Sequence, residues 1–309
     1  MSKIILTEIE LNRTNFKDNL IKIVKINSKT IKKFADNKNV FAIIGSRATA
    51  NVAIDLDFPN LKLYQLTSAG FDGIDLEKFS AKNVAICNAG DVYSVPIAET
   101  VIYGMLKFEK RFHNNPKRNC LRLTRKYKYI GELKDKNLLI MGCGGIGNAV
   151  CKRANGFEMN VYGYNRGNKK VDGYIEIFNS KELLKQNLNK FDYIVTTIPL
   201  TDQTKGFINN EILNCCNKNA VFINVARQGI FDKKDFISFL KRKQIKGAVL
   251  DMFEKIPNPI TNPYRRLKNV IVMPGVSAIS TNVKERLEKV VTENCQLILT
   301  KQPPKYKIN

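Results

Sequence analysis

Short apolar runs bounded by glycine, proline or polar clusters recur along this chain. They alternate with stretches in which apolar residues return at helical spacing, the pattern of parallel sheets covered on both faces. In the first third, Lys3 to Leu6, Val40 to Ile44, Leu61 to Leu66 and Val84 to Cys87 read as short strands with helices between them. After Pro96, Ile97 to Arg111 reads as a long helix leading away from that unit. A second series of strands is expected near Leu138, Val161, Tyr193, Val221, Ala248 and Val270. The last helix, roughly Thr281 to Leu299, carries apolar residues at helical spacing and can cross back to cover the first unit. The expected class is α/β, with two doubly wound parallel-sheet domains and neither an internal repeat nor a low-complexity linker.

One strand ends in chemistry. Asn137 to Met141 is an apolar run that enters Gly142-Cys143-Gly144-Gly145-Ile146-Gly147 and then a helix-competent stretch, Asn148 to Asn155. Gly142 allows a tight turn, Gly144 lets the backbone approach a pyrophosphate, and Gly147 lets the helix pack closely on the strand. A diphosphate then meets the helix N-terminus. A second strand, Met159 to Tyr164, ends at the distance where an adenosine ribose is read. At its tip stand Asn165, Arg166, Lys169 and Lys170, with no acid before Asp172. A carboxylate there would select NAD and a cation NADP, because the latter carries a 2′-phosphate. The tip therefore favours NADP over NAD, the alternative being that these are solvated loop charges in a lysine-rich chain.

Composition agrees with an enzyme of about two domains: 309 residues, 44% of them hydrophobic. No apolar run reaches membrane-spanning length, and residues 1–8 lack the basic-then-apolar layout of a signal peptide, so cytoplasm is the expected compartment. Seven scattered cysteines without ligand spacing read as reduced thiols, and no metal site is expected. A net charge of +23 raises the question of nucleic acid. The densest basic block runs from Lys107 to Lys136 with Tyr127 and Tyr129 interleaved, yet the excess is spread over the whole chain. Polyanion binding is therefore the lesser reading, though it stays open.

Several further segments carry a family resemblance over nearly the whole length. They are Ser68 to Asp75 (SAGFDGID), Tyr93 to Glu99 (YSVPIAE), Ile198 to Gly206 (IPLTDQTKG), Asn224 to Gly229 (NVARQG) and Leu250 to Glu254 (LDMFE). With the glycine fingerprint, in this order and spacing, the chain resembles the D-isomer-specific 2-hydroxyacid dehydrogenases, the group of phosphoglycerate and glycerate dehydrogenases and glyoxylate/hydroxypyruvate reductases. The resemblance implies a flavodoxin-like substrate domain from both chain ends (1–100 plus 283–309), an inserted Rossmann domain (101–282), a cleft between them and a homodimer. It implies hydride transfer between nicotinamide and a small 2-oxo or 2-hydroxy acid. The substrate carboxylate would sit on the backbone of Ala69, Gly70 and Phe71, and Arg227 would be the catalytic cation. Cofactor contacts would come from Gly142, Gly144, Gly145, Ile146, Gly147, Asn165, Arg166, Ile198, Pro199, Thr204, Val225, Ala226 and Asp251, the last beside the nicotinamide carboxamide.

The pattern breaks at the proton relay. The family places its histidine directly after the proline that follows the last strand, and its partner glutamate just before another proline; this chain has Gly275 and Ile256 there. Losing both together is coherent, since a glutamate without its histidine would be a buried unpaired charge. The only histidine, His113, lies in the basic block. Glu254, Lys255, Tyr264 and Ser277 are the candidate substitutes, left unranked. Two readings follow: a slow reductase, or a catalytically silent dinucleotide-binding regulatory protein.

Overall fold

The computed structural model describes residues 3–16, 20–110, 130–167, 171–251 and 261–309. His113, most of the Lys107 to Lys136 block, Lys169, Lys170, Glu254, Lys255 and Ile256 lie outside the described residues. The contacts divide the chain into two compact units, residues 1–93 with 280–309, and residues 94–279.

The first unit is built on five parallel strands, β1 (Lys3–Thr7), β2 (Ile21–Lys25), β3 (Val40–Gly45), β4 (Leu63–Leu66) and β5 (Ala85–Cys87), in the order β2-β1-β3-β4-β5. That is the flavodoxin-like order. All residues of β3 and β4 are buried, so these central strands read as unbroken apolar runs rather than alternating ones. Ile43, Tyr64 and Ile86 pack on one face beneath helices α1 (Arg47–Ile54) and α2 (Leu76–Ala81). Ile5, Ala42, Ile44 and Leu63 pack on the other beneath Leu287, Val291 and Cys295 of the last helix, Val283–Leu299. The amphipathic stretch read in the sequence thus covers the first sheet. Strand β2 escaped the pattern reading because it is an edge: Lys22 and Lys25 are exposed, and only Ile21 is fully buried.

Inside this unit a buried amide network ties three segments together. Asn294 donates to Gln65 Oε1 at 2.7 Å and to the Lys305 carbonyl at 3.0 Å, and its Oδ1 accepts from Lys305 N at 2.8 Å. Gln65 in turn donates to the carbonyls of Leu66 and Asn88. Both side chains are buried, and every bond satisfies a group that water cannot reach. The chain end is held the same way: Ile308 N donates to Ile86 O at 2.9 Å and Asn309 Nδ2 to Val84 O at 2.8 Å. These bonds cover the open edge of β5, which would otherwise be a row of unpaired backbone groups.

The second unit has seven parallel strands: β6 (Asn137–Met141), β7 (Asn160–Tyr164), β8 (Glu176–Phe178), β9 (Tyr193–Thr196), β10 (Val221–Asn224), β11 (Gly247–Leu250) and β12 (Val270–Val272). Their order, β8-β7-β6-β9-β10-β11-β12, reverses between β6 and β9. This is the dinucleotide-fold order with one added strand, and a reversal is where such sheets bind ligands. Helix α3 (Ser94–Lys110) begins before Pro96; proline is tolerated there because the first turn has no intrahelical bond to lose. It packs on α4 (Gly145–Gly156), with Gly104 close to Val249. Helices α5 (Lys181–Asn187), α6 (Asn210–Asn214) and α7 (Lys233–Lys241) follow, and Leu184, Ile212 and Phe236 from them join the core with Leu139, Ile194 and Phe222 of the strands. The helix Val283–Leu299 is α8. Among the described residues no helix is long and apolar enough to cross a membrane.

Candidate functional site

At the reversal between β6 and β9 the glycine turn has three distinct demands. Gly142 has φ +108°, and a Cβ there would lie 2.7 Å from Thr197 Oγ1 and 3.0 Å from Ile198 N. Gly147 would place a Cβ 2.0 Å from the Gly142 carbonyl oxygen, so the first turn of α4 lies directly against the turn that precedes it. Gly144 differs: no atom lies within 4 Å of its would-be Cβ, and it is the residue before the helix with no side chain capping the N-terminal amides. The open side therefore exposes backbone N–H groups and the positive end of the helix, which suit an anion.

That open side faces a cavity of about 460 Å³. The cavity brings together Gly142, Gly144, Asn165, Arg166, Ile198, Pro199 and Thr204 from the residues read in the sequence. Gly145, Ile146 and Gly147 form the first turn of α4 behind it. Val225, Ala226 and Asp251, at the carboxyl ends of β10 and β11, do not line it. The structure adds Cys143, Tyr164, Thr197, Gln203 and Phe207. Thr197 Oγ1 donates to the carbonyl groups of Met141 or Gly142 at 3.0 and 2.8 Å, fixing the strand end. Thr204 Oγ1 accepts from Thr201 N at 2.8 Å and lies 2.7 Å from Pro199 O, so this hydroxyl shapes its own loop. Arg166 donates to Gln203 Oε1 across the mouth. Gln203 could not be found by pattern, since the pairing joins two loops far apart in sequence.

The first unit also reverses strand order, between β1 and β3, but there the helix N-terminus is taken. Glu8 accepts from Ser46 N at 2.5 Å and from the Thr49 hydroxyl, so its own carboxylate occupies the anion position of α1. The turn after β4 is different. The carbonyls of Ser68, Ala69 and Gly70 accept from Ala89 N, Asn88 Nδ2 and Ser68 Oγ, whereas the N–H groups of Ala69, Gly70 and Phe71 donate to no described acceptor. A turn whose carbonyls are spent and whose amides are spare can receive a carboxylate.

Arg227 is half-buried and follows β10. Its approach is set by Asn224, whose Oδ1 accepts from Ala226 N and Thr196 Oγ1 and whose Nδ2 donates to Arg227 O at 3.1 Å. Arg227 Nη1 itself donates to Ala226 O at 2.8 Å. Asn224, buried to 1% exposure, is the turn-forming residue that sequence reasoning passed over.

Asp251 is fully engaged with the segment after β12. Its Oδ1 accepts from Val276 N at 2.9 Å and Ser277 N at 3.0 Å, its Oδ2 from Ser277 Oγ at 2.5 Å, and its carbonyl from Gly275 N at 2.8 Å. Gly275 has φ +70°. Burial pushes the Asp251 carboxyl above its ordinary value, and the donors of Ser277, Val276 and Gly275 pull it back only in part. The folded-state pKa lies above the unfolded one, so the native state binds the proton more tightly. The carboxylate then weakens the fold increasingly as pH rises above 3.8 toward the folded value. Asp251→Asn should accordingly match or exceed the parent melting temperature at pH 7, with the gap closing toward pH 4. Asp251→Ala should lose about 1–3 kcal/mol at either pH, since it strands the Ser277 donors. Thermal unfolding at the two pH values checks both.

Of the candidates for proton transfer, the two that are described, Ser277 and Tyr264, are closed off. Ser277 is 2% exposed and commits its hydroxyl to Asp251. Tyr264 is 1% exposed and packs on Phe236 in the core of the second unit. Six cysteines are described, all free thiols; burial raises the thiols of Cys143 and Cys151, and pushes those of Cys87, Cys216 and Cys295 up to about 12. None of these five is a ready nucleophile. No metal-binding group of His, Cys, Asp or Glu exists among the described residues.

Residues 102–277 match the family model described as D-isomer specific 2-hydroxyacid dehydrogenase, NAD binding domain. The chain is 31% identical over 281 residues to D-3-phosphoglycerate dehydrogenase of Methanocaldococcus jannaschii, covering 87% of this chain and 51% of that protein, so it spans about half of that relative's length. It is 27% identical over 286 residues to glyoxylate/hydroxypyruvate reductase A of Arabidopsis thaliana, covering 90% of this chain and 88% of that one. Among solved structures, a D-isomer specific 2-hydroxyacid dehydrogenase from Xanthobacter autotrophicus, in complex with NADPH and MES, superposes with a TM-score of 0.81 at 21% identity, covering 100% of this chain and 98% of that one.

Proposed function

The chain belongs to the D-isomer-specific 2-hydroxyacid dehydrogenase family, and from that premise we propose that it reduces a small 2-oxo acid with NADPH, slowly. The observation that carries the reading is the turn at Gly142–Gly147, open at Gly144 onto a cavity lined by Arg166 and, among the described residues, by no carboxylate. A bound nicotinamide dinucleotide would supply the hydride. The chain's own part is to seat the diphosphate on the spare amides of α4 and the 2′-phosphate on Asn165 and Arg166. In the first unit, the N–H groups of Ala69, Gly70 and Phe71 suit the substrate carboxylate. In the second, Arg227 supplies the cation that polarises the reacting carbonyl.

The family histidine is replaced by Gly275, and the two described candidates for its role, Ser277 and Tyr264, are buried. In this reading water, or an acid outside the described residues, protonates the product oxygen. Absence of general acid catalysis typically costs ~10² to 10⁴ in rate, whereas positioning of the reactants is untouched. The silent-binder reading rests on the same replacement and is separated from this one by turnover alone.

Preference for NADPH follows from a guanidinium at the strand tip, because a bidentate contact to a phosphate is worth more than a solvated lysine. Arg166→Ala should weaken NADPH binding about 10- to 100-fold, some 1.4–2.7 kcal/mol, and leave NADH binding nearly unchanged. Titration of nicotinamide fluorescence with both cofactors measures this; equal losses for the two would show that Arg166 does not read the 2′-phosphate. Scattered cysteines without ligand spacing fit a reducing compartment, the cytoplasm, and we take the working form to be a homodimer, as is usual for the family. Sedimentation at twice the chain mass of 35.1 kDa is the expected result.

A further inference from the structure

A larger cavity, of about 1090 Å³, lies in the first unit at the opposite edge of its sheet from the strand ends just described. It is bounded by the amino-terminal ends of β1, β3, β4 and β5, by the last residues of α8, and by the chain that follows α8. Five lysines line it: Lys3 at the start of β1, Lys38 before β3, Lys62 before β4, and Lys301 and Lys307 after α8. Among the described residues no aspartate or glutamate lines it, and Asn309, the last residue, does.

Lys38, Lys62, Lys301 and Lys307 make no ion pair with any described carboxylate, in contrast to Lys78 with Asp55, Lys284 with Glu10 and Lys305 with Glu293 in the same unit. Ammonium groups gathered from separate segments around one concavity raise its potential together, because low-dielectric walls focus the field. A bound polyanion relieves that repulsion. Part of the lining, here called the floor, is apolar: Phe41, Val84, Ile298 and Leu299, beside the uncharged polar Asn39, Asn60, Ser80 and Asn83. An inorganic anion would leave this floor wet and most of the volume unused, since cavities of ~300–1,000 Å³ hold drug-sized ligands.

We propose that this cavity binds a nucleotide-sized organic polyphosphate, its planar or apolar part on the Phe41–Ile298 floor and its phosphates among Lys38, Lys62, Lys301 and Lys307. The site is separate from the dinucleotide cavity, which lies wholly in the second unit.

The test is equilibrium dialysis of the full chain with ATP in the presence of EDTA and saturating NADPH, so that the dinucleotide cavity is already filled. ATP is expected to bind saturably at sub-millimolar concentration, with inorganic triphosphate weaker and adenosine not binding. The double variant Lys62→Glu/Lys301→Glu is expected to bind ATP at least tenfold more weakly while keeping its circular dichroism and its NADPH affinity. In the unmodified chain, ATP should protect Lys38, Lys62, Lys301 and Lys307 from acetylation, a readout that needs no folded variant. The proposal is overturned if ATP does not saturate or is displaced by NADPH. It is equally overturned if the four lysines are not protected, if the variant binds like the parent, or if a single-stranded oligonucleotide outcompetes ATP.

Discussion

Gly144→Val should leave the fold of the second unit intact and abolish NADPH binding, whereas Gly147→Ala should damage the fold itself. The two glycines lie three residues apart and look alike in sequence. At Gly144 the backbone has φ −92° and ψ −164°, a conformation open to any residue, and nothing lies within 4 Å of the added Cβ. The valine methyl groups would instead project toward the cavity that the diphosphate must enter. An affinity loss of at least 100-fold, about 2.7 kcal/mol, is expected with little change in melting temperature. At Gly147 the added carbon falls 2.0 Å from the Gly142 carbonyl oxygen and 3.2 Å from Ile140, so α4 must move off β6. Overpacking of this kind costs about 1–3 kcal/mol, and the melting temperature should fall accordingly. Thermal unfolding paired with NADPH titration separates the cases. Normal NADPH binding by Gly144→Val would mean that the open face of the turn is not where the cofactor lies.

Arg227→Ala should lower kcat/KM for 2-oxo acid reduction by at least about 10² while leaving NADPH affinity unchanged. A cation placed where negative charge grows on the carbonyl oxygen acts on the transition state more than on the ground state. The cofactor affinity is expected to hold because Arg227 does not line the dinucleotide cavity. Arg227→Lys keeps the charge but loses the planar fork, so a smaller loss is expected than for alanine. A parallel drop in NADPH affinity would instead point to collapse of the Asn224 turn, whose Nδ2 bond to Arg227 O and Oδ1 bond from Ala226 N hold that segment.

How far the fold could be read from the chain depended on where each element sits. Central strands such as Val40–Gly45 and Leu63–Leu66 are buried on both faces, and their unbroken apolar runs are plain in sequence. The edge strands Ile21–Lys25 and Glu176–Phe178 were not, because partial exposure mixes their composition with that of loops. The glycine spacing at 142, 144 and 147 was legible since each position answers a local backbone need. The partners that complete the cavity were less so. Gln203 meets Arg166, and Asp251 gathers the amides of Val276 and Ser277, only after distant segments come together. No periodicity records such pairings. The loss of the family histidine at Gly275 was visible at once, but that its amide is held by Asp251 and its φ is +70° required the fold. A histidine restored there would meet a backbone conformation that costs an L-residue roughly 1 kcal/mol.

Consumption of NADPH by the purified chain with glyoxylate, hydroxypyruvate, pyruvate and 3-phosphohydroxypyruvate, each run beside Arg227→Ala, tests the account most directly. Slow oxidation with at least one of these acids, lost in the alanine variant, is the result expected of a reductase that works without the usual histidine. NADPH that binds tightly yet is consumed with none of them would contradict the proposed activity and make the chain a nucleotide-responsive binder.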